Sequence, residues 1–191
     1  GYDFPFHAAD ALAVLEANGI ERAALVTASR GMNVAVLLAT DDPDRFDRIV
    51  AIAPYMQLEA EPAPPSPGWL ESLRTDWAGF IVPFMHQVFT EPDSAEVTAE
   101  MIAIGLEASP EVAVTQELEL DWQRPAALLG QVACPTLVVH GEADAANHTL
   151  APGRVPRATR QANRLSRQLL RLRQRQRGLL DRGGGHEARV S

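Results

Sequence analysis

Three short segments near the amino end restrict the fold more than any other feature. Arg22 to Ala28 is a mostly apolar run of strand length. Met32 to Leu38 has apolar residues at helical spacing, and Ile49 to Ala53 is a second apolar run of strand length. Short continuous apolar strands are typical of buried parallel sheets. A strand, a helix and a strand in this order predict a right-handed parallel crossover, and therefore an α/β fold.

The rest of the chain predicts a helical insert in that fold. Helix starts at Asp93-Ser94 and at Ser109-Pro110 come before a third apolar strand, Thr136 to His140. With 191 residues, 46% of them hydrophobic, one domain is the natural expectation. We assign residues 1–56 and 127–191 to its α/β core, a mostly parallel sheet with flanking helices, and residues 57–126 to a helical cap.

Ser29 lies between the first strand and the helix, where a tight turn would lift its hydroxyl clear of the sheet. Such a turn also aims backbone N–H groups at an oxyanion, as in the nucleophile elbow of serine hydrolases. Gly31 supplies one of the small residues that the turn needs, whereas Thr27 stands where a second glycine is preferred. The alternative is that Ser29 only caps the helix.

Two further residues stand in the order Ser…Asp…His expected of such a hydrolase. Asp144 follows the third strand, where an acid reaches the carboxyl edge of the sheet, and Glu142 is a nearby alternative. His186 follows three glycines near the chain end, and His148 is the reserve candidate for the base. The alternative is that Asp144 only makes local hydrogen bonds in a turn and that His186 belongs to a flexible tail.

Composition excludes some classes of protein and leaves others open. No run reaches the roughly 18 apolar residues of a membrane span, and Cys134 alone allows no internal disulfide. We expect a cytoplasmic protein without cofactor or metal. Residues 145–191 carry 11 arginines against 2 acids. Without aromatic residues for base stacking, this stretch favours a solvated arginine-rich helix face over a nucleic-acid-binding tail.

Four strings, taken together, resemble the α/β-hydrolase superfamily, and more closely its capped bacterial esterases. They are Asp10 to Leu15, the turn at Ser29, the block from Asp42 to Pro54 and the string from Cys134 to Gly141. Two cap strings, Val88 to Ser94 and Gly105 to Glu111, are similar to a bacterial subgroup. The likeness covers residues 5–148 and, beyond them, Gly185-His186.

The resemblance implies a catalytic triad of Ser29 as nucleophile, Asp144 as orienting acid and His186 as general base. The backbone N–H of Arg30 would donate to the oxyanion. The implied reaction is acyl transfer on a small to medium apolar ester, with lactones, thioesters, epoxides and C–C bonds left open. A serine at position 29 argues against epoxide or haloalkane chemistry, which uses an aspartate nucleophile. In the cap, Trp77, Phe80, Phe84 and Phe89 are candidates to line an apolar pocket, or else form the core of the cap.

The chain departs from the family pattern before Ser29. The strands that precede the turn in the family are missing, and with them the loop that supplies the second oxyanion donor. We therefore expect an amino-terminally truncated hydrolase, and a fragment without activity because part of its oxyanion hole is missing. The second hypothesis is a non-catalytic α/β domain that binds a partner through its cap or its arginine-rich tail.

Overall fold

The protein folds around a parallel sheet of three strands in the order β1-β2-β3. The computed structural model describes residues 1–58, 64–141 and 144. The strands are β1 (Ala23–Ala28), β2 (Phe46–Ile52) and β3 (Thr136–Val139). Val26 pairs with Val50, which pairs with Leu137, so the three carboxyl ends lie at one edge of the sheet. The expected α/β class and parallel crossover are confirmed.

Seven α-helices occur in the described ranges. One precedes the sheet, one connects β1 to β2, and five lie between β2 and β3, the last of them followed by a 3₁₀ turn at Leu129–Gln131. They are α1 (Phe4–Ala17), α2 (Gly31–Asp41), α3 (Pro67–Thr75), α4 (Trp77–Val88), α5 (Ala95–Glu107), α6 (Pro110–Glu119) and α7 (Gln123–Leu128). None of these helices is long and apolar enough to cross a membrane.

Local signals explain where α1 begins and ends. Asp3 caps the helix, since its carboxylate accepts a hydrogen bond from the N–H of Phe6 at 3.0 Å. Pro5 lies in the first turn, where its missing N–H costs nothing. Gly19 follows the end of the helix with a φ of 64°, a conformation that glycine adopts readily. The helix therefore starts four residues before the stretch 8–18 in which its apolar spacing is regular.

The main hydrophobic core lies between the sheet and helices α1, α2 and α7. Helix α2 packs on α1, α7 and β1. Phe46, Val36 and Leu37 are at most 1% exposed, and burial of each such side chain contributes about 2–3 kcal/mol. Trp122, just before α7, makes edge-on contacts with Phe4 at 5.1 Å and Tyr55 at 5.5 Å between ring centroids. The segment that ends the insert is thus tied to the first helix.

The opposite face of the sheet is open to solvent at its edge strand. Residues of β1 alternate between half-buried and exposed, and Val26 is 70% exposed. Ile52, on β2, is 44% exposed. The expectation that the first strand is buried therefore holds for only one of its faces. An apolar run reads the same in sequence whether one face of a strand is covered or both.

The helices of the insert pack mainly through α3, α4, α5 and α6. Helix α4 contacts both α3 and α5, and α3 contacts α6. Leu73 of α3, Ile81 of α4 and Val114 of α6 are buried. The indole N–H of Trp77 donates to the carbonyl of Gly105 at 3.0 Å. The segment between β2 and β3 is therefore helical, as the sequence indicated.

Candidate functional site

Ser29 occupies a strained turn between β1 and α2. Its φ is +48°, a left-handed conformation that costs a non-glycine residue about 1–2 kcal/mol. Three backbone hydrogen bonds hold the turn: the N–H of Ser29 donates to Ile52, and its carbonyl accepts from Met32 and Tyr55. These bonds are 3.0 to 3.2 Å long. Strain of this kind persists only where the surroundings over-determine it, and it is concentrated at functional sites.

The side chain of Thr27 fills the space where a side chain at position 31 would lie. A Cβ atom added to Gly31 would lie 2.7 Å from the Thr27 hydroxyl oxygen and 3.5 Å from its Cβ. The Thr27 hydroxyl is buried and makes no hydrogen bond to the described part of the chain. A side chain at position 31 is therefore disfavoured by its neighbour and not by its own φ.

The backbone N–H of Arg30 is unpaired within the described ranges, since no atom there accepts a hydrogen bond from it. Such orphan donors at the start of a helix favour negative charge, because the helix dipole is positive there. The adjacent Ser29 hydroxyl likewise makes no hydrogen bond to the described ranges. A serine hydroxyl and an unpaired backbone N–H thus lie side by side, the pair of groups that a nucleophile elbow would need.

Asn33 is a residue of this site that the sequence analysis missed. It is fully buried, and its side-chain NH₂ donates to the carbonyls of Arg30 and Tyr55, both at 2.9 Å. It thereby joins the turn to the chain that leaves β2. The sequence did contain a signal for this residue, a polar side chain among the apolar residues of α2. A buried amide side chain normally makes hydrogen bonds, so Asn33 could have been expected to bind the neighbouring backbone.

Asp144 lies at the same edge of the sheet, beyond β3. The N–H of Ala53 donates to the carbonyl of Val139 at 2.7 Å, which extends the ladder of β2 and β3 to this edge. One carboxylate oxygen of Asp144 is 3.3 Å from Nε2 of His140, and the two side chains are 15% and 6% exposed. The sequence placed Asp144 at this edge but did not predict its contact with His140, four residues earlier.

The expected base lies outside the described residues. His186, the reserve candidate His148 and the alternative acid Glu142 all fall there, so these assignments stay predictions. Of the other histidines, Nε2 of His7 lies 3.5 Å from the Gln116 amide nitrogen. His86 is exposed on α4.

Three of the four expected pocket residues contact one another. Trp77 and Phe80 lie 5.5 Å apart between ring centroids, and Phe80 stacks on Phe84 at 5.6 Å. Trp69 of α3 joins them, edge-on to Phe80 at 5.1 Å. Phe89 follows the end of α4 and is half-buried. The first three rings and Trp69 form one aromatic cluster between α3 and α4, and their role in binding a substrate stays a prediction.

The described residues contain no group of three or more His, Cys, Asp or Glu side chains that could hold a metal ion. The arrangement at the sheet edge is a serine beside an unpaired backbone donor, with a largely buried carboxylate two strands away. Such an arrangement suits acyl transfer, in which a histidine would have to connect the serine and the carboxylate.

Several solved structures are similar to this chain. No family model matches the chain. It resembles an N-acyl homoserine lactone-degrading enzyme, Est816, at 27% identity and a TM-score of 0.58, over 74% of this chain and 57% of that one. An esterase from Exiguobacterium antarcticum matches at 16% identity and a TM-score of 0.59, over 74% and 56%.

A third similar structure is an aryl esterase, described as putative, from Burkholderia cenocepacia. It matches at 18% identity with a TM-score of 0.59, over 73% of this chain and 53% of that one. The chain thus spans little more than half the length of the structures it matches. At these identities the two esterases bear on the fold alone.

Proposed function

We propose that this chain, which has the α/β-hydrolase fold that its sequence resemblance implied, forms part of a serine hydrolase. Its substrate would be a small to medium apolar ester or a related acyl compound. The observation that carries the proposal is the left-handed φ of Ser29, at the turn from β1 into α2. The free N–H of Arg30 beside it, and Asp144 at the same edge of the sheet, support it further.

In the proposed mechanism, His186 takes the proton of the Ser29 hydroxyl as its oxygen attacks the substrate carbonyl. Asp144 stabilises the imidazolium, and the Arg30 N–H donates to the oxyanion. Collapse of the tetrahedral intermediate expels the alcohol, which receives the proton from His186. Water then hydrolyses the acyl-enzyme by the same steps. One oxyanion donor typically contributes about 3–4 kcal/mol to the stability of the transition state.

The substrate class follows from the chemistry of the turn and of the cap. A serine nucleophile suits acyl compounds, and the aromatic cluster of Trp69, Trp77, Phe80 and Phe84 would offer apolar surface to an acyl or alcohol group. A lactone is a cyclic ester, and the lactone-degrading enzyme at 27% identity favours lactones among the related compounds that the sequence left open. The same proposal includes a cytoplasmic location and no cofactor.

A fluorophosphonate probe tests the nucleophile directly, because it phosphonylates activated serines. We expect labelling at Ser29 in the protein at its full natural length, and its loss in Ser29→Ala. Ser109→Ala is a matched control, since Ser109 caps α6 without a side-chain hydrogen bond. Labelling that survives Ser29→Ala would contradict the assignment. A parent protein that takes up no probe would favour the non-catalytic, partner-binding alternative.

Ester hydrolysis tests the base. We expect His186→Ala to lower kcat/KM for a p-nitrophenyl ester by roughly 10⁴-fold, because the members of a triad act as a unit. His148→Ala serves as the comparison, with a loss of less than about tenfold. The reverse pattern would transfer the role of base to His148, and a small effect in both variants would argue against a triad.

A further inference from the structure

The side chain of Arg30 reaches away from the turn and contacts the helical insert. Its Nη1 lies 2.5 Å from Oε1 of Glu117 on α6, a residue 87 positions later. Its guanidinium carbon is 5.3 Å from the ring centroid of Trp122, between α6 and α7. One residue therefore has its backbone beside Ser29 and its charged group on the insert.

The contact is more enclosed on its Glu117 side than an ordinary surface ion pair. The Glu117 side chain is 19% exposed and that of Arg30 is 40% exposed, so the pair is only partly screened by water. The planar guanidinium also lies over the indole face of Trp122, a favourable cation–π arrangement. Trp122 is itself fixed by Phe4 and Tyr55.

The backbone of Arg30 is held from the other side. Its carbonyl accepts hydrogen bonds from the backbone N–H of Asn33 at 3.0 Å and from the Asn33 side chain at 2.9 Å. The Tyr55 N–H binds the carbonyl of Ser29, the preceding residue. The Arg30 N–H shares its peptide plane with the Ser29 carbonyl, which accepts from Met32 and Tyr55. Beyond that plane, Asn33 holds the Arg30 carbonyl, and Glu117 and Trp122 hold its side chain, so the N–H has little freedom to turn.

We propose that Arg30 is a positioning residue: its ion pair with Glu117 couples helix α6 to the backbone N–H that donates to the oxyanion. This inference rests on the proposed function, and it adds to it a role for the Arg30 side chain and for Glu117. Movement of α6 would be transmitted to the oxyanion donor through this pair. Because the N–H acts on the transition state, its misplacement lowers kcat and leaves KM nearly unchanged.

The test compares Arg30→Met and Glu117→Gln with the parent protein at its full natural length. We expect each variant to slow the phosphonylation of Ser29 and to lower kcat for a p-nitrophenyl ester by about tenfold. The double variant should be little worse than either single one, because the two residues act through one contact. Arg30→Lys keeps the charge and should recover part of the rate.

Arg124→Met is the matched control. Arg124 pairs with Asp41 at 3.3 Å and so also contacts α2, but at the end of the helix away from Ser29. We expect its loss to leave the labelling rate within about twofold of the parent, as for an exposed ion pair. Hydrogen exchange of the α6 amides supplies a readout that does not depend on Ser29. It should quicken in Arg30→Met and in Glu117→Gln, and stay unchanged in Arg124→Met.

The outcomes separate this inference from the proposed function. Faster exchange in α6 with an unchanged labelling rate would overturn the positioning role alone, since the pair would then only stabilise the fold. Unchanged exchange and unchanged labelling would overturn the coupling itself. A parent protein that is not labelled at Ser29 would overturn the proposed function and the positioning role together. Glu117→Gln, nearly identical in shape, keeps the test decisive if Arg30→Met does not fold.

Discussion

Two non-glycine residues with left-handed backbone stand at the carboxyl edge of the sheet. Ser29 has a φ of +48° after β1, and Ala53 a φ of +43° after β2. Each is held by a backbone hydrogen bond to the neighbouring strand. The N–H of Ser29 donates to the carbonyl of Ile52, and the N–H of Ala53 donates to the carbonyl of Val139. The strain at this edge is therefore supported by the neighbouring strands, and folding of the sheet imposes it.

At the residue scale, we predict that the cost of a side chain at position 31 depends on Thr27. Gly31→Ala should lower the free energy of unfolding by about 1–3 kcal/mol, the usual cost of overpacking. In a Thr27→Ala background the hydroxyl is gone, and only the ordinary 3.5 Å contact with Cβ remains. There the same change should be nearly neutral. Urea denaturation of the four proteins measures the coupling.

Thr27→Val provides the control for this cycle. It removes the unpaired hydroxyl but keeps a group of the same size near Gly31, so Gly31→Ala should stay costly in that background. An equal cost of Gly31→Ala with threonine, valine and alanine at position 27 would show that the contact does not determine the stability of the turn.

At the scale of elements, helices α3 and α6 begin with the same dipeptide and are capped differently. Ser66-Pro67 and Ser109-Pro110 have serine at the N-cap and proline in the first turn. The Ser66 hydroxyl accepts from the N–H of Trp69 at 3.2 Å, whereas the Ser109 side chain makes no capping bond. The sequence predicted the start of α6 at Ser109-Pro110 but not that of α3, and the dipeptide does not determine the rotamer of its serine.

We predict unequal effects of the two serine-to-alanine changes. Ser66→Ala should lower the free energy of unfolding by about 1 kcal/mol, the usual value of an N-cap bond. Ser109→Ala should cost no more than about 0.5 kcal/mol, as for a surface change away from such features. Both are measured by urea denaturation, and equal losses would contradict the difference in capping.

The bounds of the helices and strands show how much of the fold could be predicted from the sequence. The bounds of β1, α2, β2 and β3 agree with expectation to within about three residues, because apolar spacing and Pro54 are local signals. The start of α1 does not follow from apolar spacing, because Asp3 and Pro5 lie outside the repeat of residues 8–18. The exposure of Val26 was also missed, because it depends on what packs against the sheet.

At the scale of the whole molecule, part of the candidate site could be predicted from the sequence and part could not. Ser29 and the Arg30 N–H follow from one short string, and the structure describes both. The contacts of Arg30 with Glu117 and of His140 with Asp144 need the folded chain, because nothing local in the sequence indicates them. His186 lies outside the described residues, so its role as base remains a prediction.

Cys134, the single cysteine, gives a probe of global unfolding. It packs against the hydrophobic core just before β3, and burial raises the pKa of its thiol. A raised pKa leaves less of the reactive thiolate at pH 8, so alkylation by iodoacetamide should be slower in the folded protein than in urea. Mass spectrometry across a urea series measures the difference.

The control for this measurement is Cys134→Ser, which should take up no label. Protection of the thiol should disappear in the same urea range in which the helical signal is lost, because the sheet and α2 share one core. An alkylation rate that is the same in buffer and in urea would show that the thiol is not protected by the fold.

The contact between Thr27 and Gly31 also determines the order in which this turn can change during laboratory evolution. With threonine at position 27, an alanine at position 31 carries the full cost of the contact; once position 27 is smaller, that cost falls away. A scan that varies one position at a time will therefore underestimate the tolerance of position 31. A library that varies both positions together will recover alanine at each more often than the single scan indicates.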